Sequence, residues 1–133
     1  MDSNTFVDCI VYLKHLQIID ISNCRTLEPK AITALVENNK YLTSLKAMSC
    51  RKAITDESLA LIAKKCRSLR IFDISYCNGF SDEGLLAFGP DQDSRRFVEL
   101  FLSGITGVSN VGISAFLHTC EKTLHVLNVS LLD

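Results

Sequence analysis

Five short segments of the chain alternate apolar and polar residues in one shared pattern. The pattern reads L-x-x-L-x-L-x-x-C, and alternation with a period of two predicts a β-strand with one face toward a core. A pattern that recurs every 26 to 28 residues indicates internal repeats. The segments begin at Leu16, Leu42, Leu69, Phe97 and Leu124.

Each of the first four strands is followed by a segment with helical spacing. Apolar pairs three residues apart mark one helix face, and they are Ile32 with Leu35, Leu59 with Ile62, Leu85 with Phe88, and Ile113 with Phe116. A residue with a side-chain oxygen precedes each helix and is expected to cap it, namely Glu28, Thr55, Ser81 and Ser109. Pro29, Asp56 and Asp82 suit the first turn.

A unit of one strand and one helix cannot bury its apolar face alone, so the units must stack. Helices are wider than strands, and the stack therefore bends into an arc. We predict an α/β solenoid with about five parallel strands on the concave face and helices on the convex face. It forms a single domain over residues 1–133, with a half repeat at 1–15, repeats at 16–41, 42–68, 69–96 and 97–123, and a partial repeat at 124–133.

The third unit and the N-terminal segment depart from the pattern. Gly89-Pro90 and the polar stretch "DQDSRR" predict a short third helix and a loop on the convex side. Residues 6–16 align with the helix half of a preceding repeat, which predicts that Cys9 and Leu13 share one face.

The block L-x-x-L-x-L-x-x-C followed by "ITDESLALIAKKC" resembles the cysteine-containing class of leucine-rich repeats. That class occurs in the leucine-rich-repeat F-box proteins and in the antagonists of the mitotic exit network. The resemblance implies substrate recognition or regulation in an SCF-type ubiquitin ligase pathway. Members reach their ligase through an F-box bound to a Skp-type adaptor, and no F-box precedes these repeats.

Composition and charge narrow the possible partners. The chain has a formal net charge of -1 and 22% charged residues, so it carries no positive field for nucleic acid or for a membrane surface. Its longest apolar run, residues 6–13, is far below the ~20 residues that span a bilayer. Six cysteines without a secretory signal indicate an intracellular, reducing compartment, most simply the cytoplasm or nucleus, with an organelle or cilium as alternatives.

The cysteines and histidines are interpreted as structural or surface residues. The last position of the first three strand blocks is a cysteine, at Cys24, Cys50 and Cys77. This spacing predicts a ladder of small buried side chains whose sulfurs interact with neighbouring loop amides. His118 and Cys120 are two apart on one helix and point in different directions. We therefore expect no enzymatic activity, catalytic residue, metal or cofactor.

Protein binding is the expected function, at side chains that point out of the concave face. Apolar anchors among charged residues are typical of a protein-binding surface. We also expect a larger complex to cover the open strand edges, unless the chain is part of a longer protein, and no small-molecule substrate. The alternative is a structural subunit of a large ciliary, mitochondrial or ribonucleoprotein assembly. The candidate binding residues are Ile18, Asp20, Lys46, Met48, Ile71, Asp73, Tyr76, Phe101 and Asn128.

Overall fold

The structure is a computed structural model that describes residues 1–89 and 97–132. Helices and strands alternate through this part of the chain, as the two periodicities predict. The elements are α1 Ser3–Ile10, β1 Ile18–Asp20, α2 Pro29–Asn38, β2 Ser44–Lys46, α3 Asp56–Lys65, β3 Ile71–Asp73, α4 Asp82–Leu86, β4 Glu99–Phe101, α5 Asn110–His118 and β5 Val126–Asn128.

The strands described form one parallel sheet in the order β1-β2-β3-β4-β5. Each strand pairs with the next in the same register, so that equivalent residues of successive repeats lie side by side. Each helix contacts the helix of the neighbouring repeat. This stacking confirms the predicted leucine-rich-repeat solenoid.

The core lies between the sheet and the helices. The middle residues of the inner strands, Leu45, Phe72 and Leu100, are fully buried. Beside them, the rings of Phe72, Phe88, Phe97 and Phe116 form a cluster with centroids 5.4 to 5.9 Å apart. Such contacts add to the free energy of burial and join the third repeat to the fourth.

Three of the four predicted helix caps are confirmed. Thr55, Ser81 and Ser109 accept hydrogen bonds from amides in the first turns of α3, α4 and α5. The prediction was wrong for Glu28, whose side chain makes no capping hydrogen bond, although Pro29 does begin α2. The short helix predicted in the third repeat is confirmed, since this helix, α4, has five residues. The loop predicted at Gly89-Pro90 and "DQDSRR" lies mainly outside the described residues.

The first helix buries a different face from the one predicted. Ser3, Phe6 and Ile10 are its buried residues, while Cys9 and Leu13 are exposed. Leu13 also follows the end of the helix and belongs to the connection to β1. The pairing of Cys9 with Leu13 on one face was therefore wrong. The helix begins earlier than the apolar run, because Asp2 caps it by accepting a hydrogen bond from the Thr5 amide at 2.8 Å.

Candidate functional site

The sheet face opposite the helices, here called the concave face, carries three rows of side chains. The rows follow from the strand register and from the alternation of side chains along each strand. The first contains Ile18, Ser44, Ile71, Glu99 and Val126; the second contains Asp20, Lys46, Asp73, Phe101 and Asn128; the third, just beyond the strands, contains Ser22, Met48, Ser75, Ser103 and Ser130.

Exposure on this face changes from the ends of the sheet to its centre. Ile18, on the first strand, is 71% exposed, whereas Ile71 and Phe101 on the central strands are only partly exposed. Three serines in these rows, Ser44, Ser75 and Ser103, are buried at 4 to 5% exposure. The surface available to a partner is therefore formed by the larger side chains between them.

The acidic and amide side chains of the second row support the turns that follow β1, β3 and β5. Oδ1 of Asp20 accepts the Ser22 amide at 2.9 Å, and Oδ1 of Asp73 accepts the Ser75 amide at 2.9 Å. Asn128 makes the same bond to Ser130 at 3.1 Å. Hydrogen bonds from Ser22, and secondarily the charge of Lys46, lower the pKa of Asp20. These predicted binding residues thus also have a local structural role.

Strands β2 and β4 have no carboxylate in the second row. The third-row amide that follows each of them donates instead to the serine that follows the preceding strand. The Met48 amide donates to Oγ of Ser22 at 3.3 Å, and the Ser103 amide donates to Oγ of Ser75 at 3.2 Å. The amide of the third-row residue therefore finds its acceptor within its own repeat after β1, β3 and β5. After β2 and β4 the acceptor lies in the preceding repeat.

One position shared by all five blocks adopts a left-handed backbone conformation that was not predicted from the sequence. It precedes the last residue of each block, with φ between 57° and 65° at Asn23, Ser49, Tyr76, Gly104 and Leu131. The chemical variety of these residues hides the shared geometry, although Asn and Gly are typical of it. At Gly104 an added Cβ would lie 2.5 Å from ring atoms of Tyr76, so the Tyr76 ring rests directly on this glycine.

Two of the predicted ladder cysteines donate hydrogen bonds to the preceding repeat. Sγ of Cys50 lies 2.9 Å from the Ile21 carbonyl oxygen, and Sγ of Cys77 lies 3.2 Å from that of Ala47. The expected interaction with loop amides is also present, since the Cys50 thiol has a backbone hydrogen bond from Cys24, and the Cys77 thiol has backbone hydrogen bonds from Cys50 and Ser49. Burial raises the pKa of Cys50 to about 11 and that of Cys77 to about 12, so both thiols stay protonated. Cys24 is only half-buried.

On the helix side, aspartates join the second repeat to the third and the third repeat to the fourth. Asp56, in the first turn of α3, accepts the Ser81 amide at 2.8 Å, the Ser81 hydroxyl at 2.9 Å and the Gly84 amide at 2.9 Å. Asp82 likewise accepts the amide and hydroxyl of Ser109. We call these contacts the aspartate clamps. The first-turn position was predicted, but the partner in the following repeat was not.

Apolar side chains are exposed at both ends of the described sheet. At the β1 end they are Val11, Tyr12, Leu13 and Ile18, and at the β5 end they are Val126, Leu127, Val129 and Leu131. Leu127 takes the position that is fully buried on the inner strands, and it borders a groove along α5 with Ile113, Leu117 and Leu124.

Across residues 1–89 and 97–132, no cluster of three or more His, Cys, Asp or Glu side chains could hold a metal ion. Within the same residues, no helix has the length and apolar character needed to cross a membrane.

Residues 65–89 match a family model described as leucine-rich repeat. One chain of the crystal structure of the Rad7 and Elc1 complex in yeast has the same fold, with a TM-score of 0.72 at 17% sequence identity. The match covers 98% of this chain and 32% of that chain, so this chain spans about a third of the length of the matched one.

Proposed function

We propose that this chain, which has a leucine-rich-repeat fold and matches a leucine-rich-repeat model over residues 65–89, acts as a non-enzymatic protein-interaction module that binds a partner on its concave face. The observation that supports this most strongly is the centre of the sheet. There Ile71 pairs with Glu99, and Asp73 pairs with Phe101, on adjacent strands. Partly exposed apolar side chains surrounded by charge are the composition that protein interfaces favour.

The contrast with the buried serines supports the same proposal. Ser44, Ser75 and Ser103 are held among their neighbours, and the hydroxyl of Ser75 is used in a backbone hydrogen bond. Ile71, Phe101 and Met48, in contrast, are partly exposed on the outside of the sheet. An incoming protein surface would remove their apolar area from water, which stabilises a complex.

The finer proposal is a role in substrate recognition or regulation in an SCF-type ubiquitin ligase pathway. It rests on the cysteine-containing repeats and is compatible with a fold seen in a protein that forms a complex, Rad7 with Elc1. The six cysteines are all free thiols, which suits an intracellular, reducing compartment. Recovery of a Skp-type adaptor and a cullin with the chain from its native cells is the expected result.

The alternative is a structural subunit of a larger assembly. Large apolar side chains that are exposed outside the concave face, such as Tyr41 and Val111, favour it, because exposed apolar area can contact another surface. Stoichiometric recovery of the chain in one large, stable particle without adaptor or cullin would support this alternative over the ligase role.

The test of the binding surface is the introduction of charge at its apolar centre. In the double variant Ile71→Glu with Phe101→Glu, we expect the partner that copurifies with the wild-type chain to be lost. The matched control is Leu86→Glu with Val111→Glu, two exposed apolar residues of the helices α4 and α5. If the control loses the partner and the concave variant keeps it, with both variants folded by circular dichroism, the proposed surface is wrong.

A further inference from the structure

The central part of the concave face combines apolar and acidic side chains in a checkerboard. We define the β3–β4 patch as Ile71, Asp73, Tyr76, Glu99 and Phe101. Ile71 lies beside Glu99 and Asp73 lies beside Phe101, so the two apolar residues are diagonal to each other, as are the two acids. Neighbouring strands are ~4.8 Å apart, which brings all four side chains within reach of one partner residue.

The negative charge of the patch is only partly balanced by the protein itself. Lys46 is the sole basic side chain in the three rows described, and it lies beside Asp73 and Asp20. Glu99 has apolar neighbours on both sides, Ile71 and Val126, and makes no ion pair with any residue within 1–89 or 97–132. Arg70 directly precedes Ile71, and one nitrogen of its guanidinium donates to the Leu69 carbonyl oxygen at 3.2 Å while the group keeps its positive charge.

Asp73 keeps acceptor capacity for a partner. Its Oδ1 accepts the Ser75 amide, while the hydrogen bonds described involve no donor to its Oδ2. A carboxylate has about four acceptor sites on its two oxygens. Asp73 can therefore support its turn and accept hydrogen bonds from a ligand at the same time.

Tyr76 adds an aromatic ring at the end of the patch. Its φ of 58° is unusual for a bulky side chain, and its ring lies on Gly104, which leaves room for it. The same left-handed conformation occurs at this position of the other four blocks and therefore belongs to the turn, while the ring itself is partly exposed beside the sheet. Aromatic rings also attract cations at their faces.

We infer that the β3–β4 patch binds a lysine or arginine side chain in an extended segment of the partner protein. The carboxylates of Asp73 and Glu99 face the cationic head, and Ile71, Phe101 and Tyr76 contact its aliphatic stem. The inference depends on the proposed function of the concave face as a protein-binding surface and adds the chemistry of its partner.

The test is a selection of binders from a display library of random dodecapeptides against the whole chain. The expected consensus contains a lysine or arginine next to an apolar residue. In the variant Asp73→Asn with Glu99→Gln, the selected peptides should bind about tenfold more weakly, as expected for the loss of two exposed charge pairs. The fold should persist, because an asparagine side chain already makes the equivalent turn contact at Asn128.

Two controls separate this inference from the proposed function. The variant Lys46→Gln removes the positive charge beside Asp73 and should raise affinity for basic peptides, and a lower affinity would contradict the inference. Suppose that the selected peptides lack a basic residue and fail to bind the double variant Ile71→Glu with Phe101→Glu. This result would overturn the inference but would still identify the concave face as the binding surface. Peptides that bind equally well to that double variant would overturn both. Recovery of no binding peptide would overturn the inference.

Discussion

Aspartates occur on both sides of this solenoid, and they have different roles on each side. On the helix side, Asp56 accepts three hydrogen bonds from the next repeat, two from Ser81 and one from Gly84. On the sheet side, Asp20 and Asp73 each accept one amide from their own repeat. The clamps are committed to holding repeats together, whereas the sheet-side carboxylates retain capacity to bind a partner.

The comparison predicts the largest loss of stability from the helix side. Asp56→Ala leaves two amides and a hydroxyl without their acceptor, and we expect the free energy of unfolding to fall by about 2–3 kcal/mol. Urea denaturation measures this change. Asp56→Asn, which keeps one carbonyl oxygen, is the matched control and should lose less.

Gly84 offers an independent check of that clamp. A Cβ at this position would lie 2.6 Å from Oδ1 of Asp56 and 2.8 Å from Cδ1 of Leu59. Gly84→Ala should therefore cost less in the Asp56→Ala background than in the wild type. Equal costs in the two backgrounds would show that Asp56 does not contact this position as described.

A smaller loss is expected at the turn beside the β3–β4 patch. Gly104→Ala places a Cβ against the Tyr76 ring, and it also forces alanine to adopt the left-handed φ of 62° found at Gly104. Together these two costs should lower the free energy of unfolding by about 1–2 kcal/mol. Thermal denaturation measures it. In a Tyr76→Ala background only the backbone cost should remain, so an undiminished loss there would contradict the ring contact.

The second clamp predicts a modest pH effect. Hydrogen bonds from Ser109 lower the pKa of Asp82. A carboxyl whose pKa is lower in the folded state stabilises the fold above its unfolded value of about 3.9, and this contribution is lost as pH falls through the folded pKa. Asp82→Asn should therefore lessen the decline of the urea midpoint below about pH 4. An identical decline in both proteins would contradict the assignment.

The smallest effect is expected on the sheet side. Asp20→Asn should change the free energy of unfolding by less than about 0.5 kcal/mol at neutral pH, because Asn128 makes the equivalent bond in the last repeat. Chemical denaturation with Asp20→Ala as the comparison measures it. A large loss in Asp20→Asn would mean that the sheet-side charges are structural, as the clamps are.

The sequence predicts the repeat framework well because the framework is periodic. Leu45, Phe72 and Leu100 recur at one position of the pattern, and burial of that position fixes which face of each strand turns inward. The side-chain rows of the concave face follow directly from that assignment. The confirmed fold therefore depends on positions at which residue type repeats.

Features that depend on pairs of repeats were harder to predict. Asp56 and Asp82 suited the first turn of their own helices, which concealed their contacts with Ser81 and Ser109 in the next repeat. The sequence did contain a signal for these contacts. Each aspartate is followed one repeat later by a serine and then by a glycine, Gly84 or Gly112, at which a Cβ would collide with the aspartate. The left-handed position gave a weaker signal, because tyrosine and leucine, as at Tyr76 and Leu131, are rare in that conformation.

Hydroxyl-radical footprinting of the chain with its copurified partner tests the binding surface most directly. Met48, Tyr76 and Phe101 on the concave side should be labelled in the free chain and protected in the complex. Tyr41 and Leu86, both exposed outside that face, should be labelled equally in the two states. Protection of Tyr41 and Leu86 with unchanged labelling of Met48, Tyr76 and Phe101 would contradict the account.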